Sequence, residues 1–202
     1  MKNILLLLLS FTISACDSSK PAVFSPLSTD AVILAFGDSL TYGAGAEKTD
    51  SYPSVLSRLS QRTVINAGIS GEVTHDGLQR LPAVLDQYQP ELMILIHGGN
   101  DMLRNLPKQN TLDNLTQMVQ IAQQRNIKVV MLGVPSPRLF LLSSAPFYQQ
   151  VADTQSTPID LETLPQILSD RNLKSDRVHP NAAGYQLMAN NILKLLVETG
   201  AL

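Results

Sequence analysis

Four short segments of this chain carry residues able to do chemistry together. Gly37-Asp38-Ser39-Leu40-Thr41-Tyr42-Gly43 offers a hydroxyl, and Asp176-Arg177-Val178-His179-Pro180 offers a carboxylate three residues before an imidazole. Between them lie Asn66-Ala67-Gly68-Ile69-Ser70-Gly71-Glu72 and Gly98-Gly99-Asn100-Asp101. A serine hydroxyl is a weak nucleophile unless a base takes its proton during attack. Histidine suits that task and can return the proton to a leaving group. A carboxylate orients the ring and stabilises the imidazolium. Asp176 stands close enough to His179 for one tight turn to bring the two together, and Pro180 would end that turn. Taken singly, each segment also reads as an ordinary strand-to-helix turn or helix start with a capping side chain.

The elements that must position these residues alternate between strand and helix. Ala31–Phe36 is a continuous apolar run ending at Gly37, and Thr63–Ala67, Leu92–Ile96 and Lys128–Leu132 repeat the pattern. Such runs suit strands buried on both faces. Leu78, Leu81, Leu85 and Tyr88 recur at helical spacing, as do Leu112, Leu115, Val119 and Ala122. A last helix is expected from about Asn181 to Val197, with Pro180 in its first turn. Alternation of this kind implies a parallel sheet covered on both sides. Open α/β sheets bind ligands beyond the carboxyl ends of their strands. Three of the four segments directly follow apolar runs.

These segments, in this order, resemble the SGNH hydrolases, the GDSL-type esterases and lipases. The likeness is greatest to the bacterial arylesterase, acyl-CoA thioesterase and lysophospholipase group, and it spans roughly Ala31 to Leu196. It implies an α/β three-layer α/β/α sandwich on a flavodoxin-like parallel sheet. It assigns Ser39 as nucleophile, His179 as general base and Asp176 as its orienting acid. It gives the oxyanion hole to the backbone N–H groups of Ser39 and Gly71 and to the side-chain amide of Asn100. It implies hydrolysis of acyl esters or thioesters through an acyl-serine, with no cofactor. Two departures stand out. Thr41 falls where a Gly-x-Ser-x-Gly elbow would need its second glycine, which argues against the α/β-hydrolase fold. Asn105 also stands where the thioesterase-like relatives usually carry glycine.

Other residues are open to two readings. His97, at the end of the third run, lines the pocket or sits in the core, with a supporting role behind the site as a further option. His75 is expected at the surface. Asp38 and Asp101 are expected to cap and brace their loops. Leu139-Phe140-Leu141-Leu142 with Pro146-Phe147-Tyr148 is either an acyl-pocket lining or a helix packed on the core. No His, Cys, Asp and Glu cluster has metal-ligand spacing, so no metal is implied. Two rival functions remain at this stage. One is an O-acetyl esterase acting on envelope carbohydrate. The other is a non-catalytic binding module on the same scaffold.

Bulk properties fit one domain. The chain has 202 residues, 44% hydrophobic and 16% charged, with a formal charge of −2. This gives no basic footprint for nucleic acid. Lys2 and the apolar stretch from Ile4 to Ile13 resemble a signal peptide, too short to span a bilayer. It ends in Ile13-Ser14-Ala15-Cys16, which resembles the lipobox of bacterial lipoproteins; plain cleavage with an incidental Cys16 is the alternative. The expected organisation is a lipoprotein signal peptide over 1–15, a tether over 16–30 and the hydrolase domain over 31–202. Acylation of Cys16, the only cysteine, would attach the domain to the inner or outer membrane of a bacterial envelope. A periplasmic monomer acting on a small-molecule acyl ester or thioester is expected.

Overall fold

A computed structural model describes residues 23–136 and 142–202. Five parallel strands form the sheet: β1 (Val32–Gly37), β2 (Thr63–Gly68), β3 (Leu92–Ile96), β4 (Lys128–Leu132) and β5 (Ile159–Asp160). Their order is β2-β1-β3-β4-β5. The chain therefore steps outward from β1 in one direction and then returns past it in the other. The crevice between the ends of β1 and β3 is the switch point at which such sheets bind ligands.

Among the described residues, eight α-helices lie between and after the strands: α1 (Ser39–Tyr42), α2 (Tyr52–Ser60), α3 (Thr74–Tyr88), α4 (Gly99–Leu103), α5 (Lys108–Gln124), α6 (Pro146–Gln155), α7 (Thr163–Ser169) and α8 (Ala182–Glu198). Helices α2 and α7 pack on α8, while α3 and α6 pack on α5, so the sheet lies between two helical layers. β1, β3 and β4 are buried almost throughout, as their unbroken apolar sequences require. β2, at the sheet edge, is half-exposed and carries Thr63 and Asn66 accordingly.

The four expected strands and the three-layer architecture are present. β5 has no counterpart among the expected strands, because two residues make no apolar run. The last helix starts one residue later than expected: Asn181 is its cap, accepting the Gly184 N–H at 3.0 Å, and Pro180 stands before the cap. Residues 16–22 of the stretch expected as a tether, Cys16 among them, lie outside the described residues. Within it, Phe24 and Leu27 donate backbone hydrogen bonds of 2.8 Å to Thr199 and Ala201. Leu27 is buried. The packed domain therefore begins before Ala31.

Candidate active site

The site lies in a cleft of about 1380 Å³ across the carboxyl ends of the strands. Ser39 opens α1 directly after β1. Asp38 caps that helix, its Oδ1 accepting the Leu40 N–H at 3.0 Å. On the other wall, Asp176 Oδ1 accepts the N–H groups of Val178 (2.8 Å) and His179 (2.9 Å), closing the expected turn. Asn181 braces this turn from below by donating to the carbonyls of Asn172 and Lys174. His179 Nδ1 then lies 2.8 Å from Asp176 Oδ2, and His179 Nε2 lies 3.0 Å from Ser39 Oγ. With the Nδ1 proton donated to the carboxylate, Nε2 carries the lone pair that faces the hydroxyl.

Desolvation opposes ionisation of Asp176. The hydrogen bonds from His179 and from the two backbone N–H groups outweigh it, so its carboxyl titrates below the ordinary carboxylate value. Asp38 is the opposite case: burial pushes its carboxyl up, against the pull of His97, the Leu40 N–H and His179.

Gly71 and Asn100 reach the same cleft. Gly71 has φ +81°, a conformation that side chains disfavour, and its carbonyl accepts Arg104 Nη2 at 2.7 Å. Gly98 (φ +100°) makes the bend that starts α4 and turns Asn100 inward. Asn100 Nδ2 donates to the Glu72 carbonyl at 3.0 Å and has a longer contact, 3.3 Å, with Asp38 Oδ2. Among the described residues no protein acceptor engages the N–H of Ser39 or of Gly71. Ser39, Gly71 and Asn100 thus line one cleft.

Asp101 braces its loop by accepting the Thr74 N–H at 2.9 Å. His75 is exposed, in the first turn of α3. His97 is buried in the core behind the site. Asn105 has φ +54°, a left-handed conformation that asparagine tolerates. Phe147 and Tyr148 belong to α6 and pack in the core. Leu142 lines the cleft, and Leu139 to Leu141 lie outside the described residues. Sequence reading gave no role to Glu72 or Arg80. They form a part-buried ion pair, with Arg80 Nε 2.6 Å from Glu72 Oε1.

A serine, histidine and aspartate linked in series at the switch point of a parallel sheet, without the Gly-x-Ser-x-Gly elbow, define a class of serine hydrolase distinct from the α/β-hydrolases. The chain belongs to the GDSL-like lipase/acylhydrolase family, whose sequence model matches residues 35–187. It is a carboxylic ester hydrolase of that family. It is 30% identical to an arylesterase of Vibrio mimicus over 98% of this chain and 99% of that protein. It is 28% identical to thioesterase 1/protease 1/lysophospholipase L1 of Escherichia coli K12 over 95% of this chain and 88% of that one. Among solved structures, the psychrotrophic esterase EstA from Pseudoalteromonas sp., inhibited by monoethylphosphonate, superposes with a TM-score of 0.73. That match has 25% identity and covers 84% of this chain and 98% of that one.

Proposed function

We propose that Ser39 is the nucleophile of this esterase, His179 its general base and Asp176 the orienting acid. The observation that carries this reading is the 3.0 Å approach of His179 Nε2 to Ser39 Oγ, with the other ring nitrogen held 2.8 Å from Asp176. As Ser39 Oγ bonds to the acyl carbon, its proton passes to His179 Nε2 and the carbonyl electrons move onto oxygen. The N–H groups of Ser39 and Gly71 and the amide of Asn100 receive that oxyanion. Collapse breaks the bond to the alcohol or thiol, which leaves with the proton from Nε2. Water then repeats the sequence on the acyl-serine and releases the acid.

The substrate class is a short- to medium-chain acyl ester or thioester. Leu40, Leu103, Val134, Leu142 and Leu168 give the cleft an apolar lining beside the polar centre, which supports this choice. Replacing Ser39 with alanine is expected to lower turnover of a chromogenic acyl ester at least ~10⁴-fold. Activity near wild type would contradict the assignment. A chain-length series of nitrophenyl esters, with acetylated glycan as the comparison, reads the acyl preference. The rival O-acetyl esterase reading requires glycan to be far preferred.

The address belongs to the same proposal. Residues 13–16 support cleavage before Cys16 and acylation of its thiol, which tethers a monomer in a bacterial envelope. Intact mass of the mature protein tests this: a diacylglycerol-modified Cys16 at the N-terminus is expected, and an unmodified one contradicts it.

A further inference from the structure

Behind the cleft, one guanidinium reaches the ends of both strands that lead to the serine and glycine donors. Arg80, on α3, donates from Nε and Nη2 to the two carboxylate oxygens of Glu72 at 2.6 and 2.7 Å. The same Nη2 also meets the carbonyls of Ala67 (2.9 Å) and Gly37 (3.3 Å), at the ends of β2 and β1. Its flat face covers the Phe36 ring at 4.1 Å.

Glu72 extends the connection to β3, since its Oε2 lies 3.1 Å from His97 Nε2. His97 Nδ1 accepts the Gly98 N–H at 3.0 Å, so the ring proton sits on Nε2 and is donated to Glu72. Gly77 of α3 leaves room for that ring, where a Cβ would collide with it.

Burying a carboxylate and an imidazole beside a part-buried guanidinium is costly, and apolar residues of similar size often stabilise a fold as well. The backbone of Glu72 supplies a better reason for the arrangement. Its carbonyl accepts Asn100 Nδ2, and the residue before it is Gly71. The cluster therefore ties down all three origins of the oxyanion donors without reaching the substrate.

We infer that Arg80, Glu72 and His97 form a positioning cluster for the oxyanion hole, acting chiefly by fixing the Glu72 carbonyl that aims Asn100. The inference rests on the oxyanion role given above to Asn100. Preorganised donors lose their effect with small displacements, so loosening the cluster should weaken transition-state binding and leave ground-state binding intact.

A double-mutant cycle on the full chain separates this from a merely structural role. kcat and KM for a short-chain nitrophenyl ester are measured in wild type, Glu72→Gln, Asn100→Ala and the double variant. Asn100→Ala is expected to lower kcat about 10²–10³-fold. Glu72→Gln should lower kcat about tenfold or more, with KM within about twofold of wild type. In the Asn100→Ala background that penalty should shrink at least about threefold, because the group through which Glu72 acts is gone. A smaller shrinkage, or wild-type kcat in Glu72→Gln, overturns the inference alone. Wild-type kcat in Asn100→Ala overturns the oxyanion reading, and this inference with it. If Glu72→Gln does not fold, His97→Leu removes the N–H donor without stranding a charge and enters the same cycle under the same criteria.

Discussion

Asp176 accepts hydrogen bonds from two backbone N–H groups and one ring nitrogen, although its side chain is 54% exposed. Exposure of that order makes the pair a minor contributor to stability, so its value lies in ring orientation. Asp176→Asn keeps the turn but can present an N–H to Nδ1, favouring the wrong tautomer. It should lower kcat about 10³–10⁴-fold with little change in melting temperature, read by ester turnover beside a thermal melt. The lowered titration of Asp176 also fixes a pH dependence. A carboxyl depressed in the folded state stays ionised from neutral pH down past the ordinary carboxylate value, and its pairing is lost only below that. Asp176 should therefore contribute no step to the acid side of the kcat/KM profile above about pH 4. A side-chain titration of Asp176 above that value, followed by NMR, would contradict the assignment. None of this needed the fold to be foreseen: an aspartate three residues before a histidine and a proline is legible because one local turn makes the contact.

At the scale of elements, the catalytic turn is only as firm as its hold on α8. Asn181 caps that helix with its Oδ1 and anchors the preceding loop with its Nδ2. Asn181→Ala should cost about 1–2 kcal/mol, measured as a shifted denaturant midpoint, and should lower kcat as well as stability because His179 rides on that loop. Strand ends were legible for the same reason as the turn. Ala31–Phe36, Leu92–Ile96 and Lys128–Leu132 are apolar without interruption, and the chemistry-bearing segments begin where such runs stop. Two elements escaped. β5 has only two residues, and the sequence Pro146-Phe147-Tyr148 of α6 suits pocket lining and core alike. What decides it is a tertiary contact: Tyr148 Oη donates to the His97 carbonyl at 2.7 Å from inside the core.

Across the whole molecule, one apolar sheet holds residues 140 positions apart in sequence within hydrogen-bond reach. Ile94, fully buried at the centre of β3 between β1 and β4, is a direct probe of that frame. Ile94→Ala should cost about 2–5 kcal/mol in chemical denaturation, while the folded fraction retains near-wild-type kcat. The Arg80–Glu72–His97 cluster was illegible for a related reason. It joins a helix, a turn and a strand end that only the folded sheet brings together, and an arginine in an amphipathic helix ordinarily reads as solvated. Covalent labelling of the intact protein tests the assignment of Ser39 as nucleophile. An organophosphonate should add one phosphonyl group, located by peptide mass mapping on Ser39, with labelling at least ~10³-fold slower in His179→Ala. Labelling at another residue, or at an unchanged rate without His179, would contradict it.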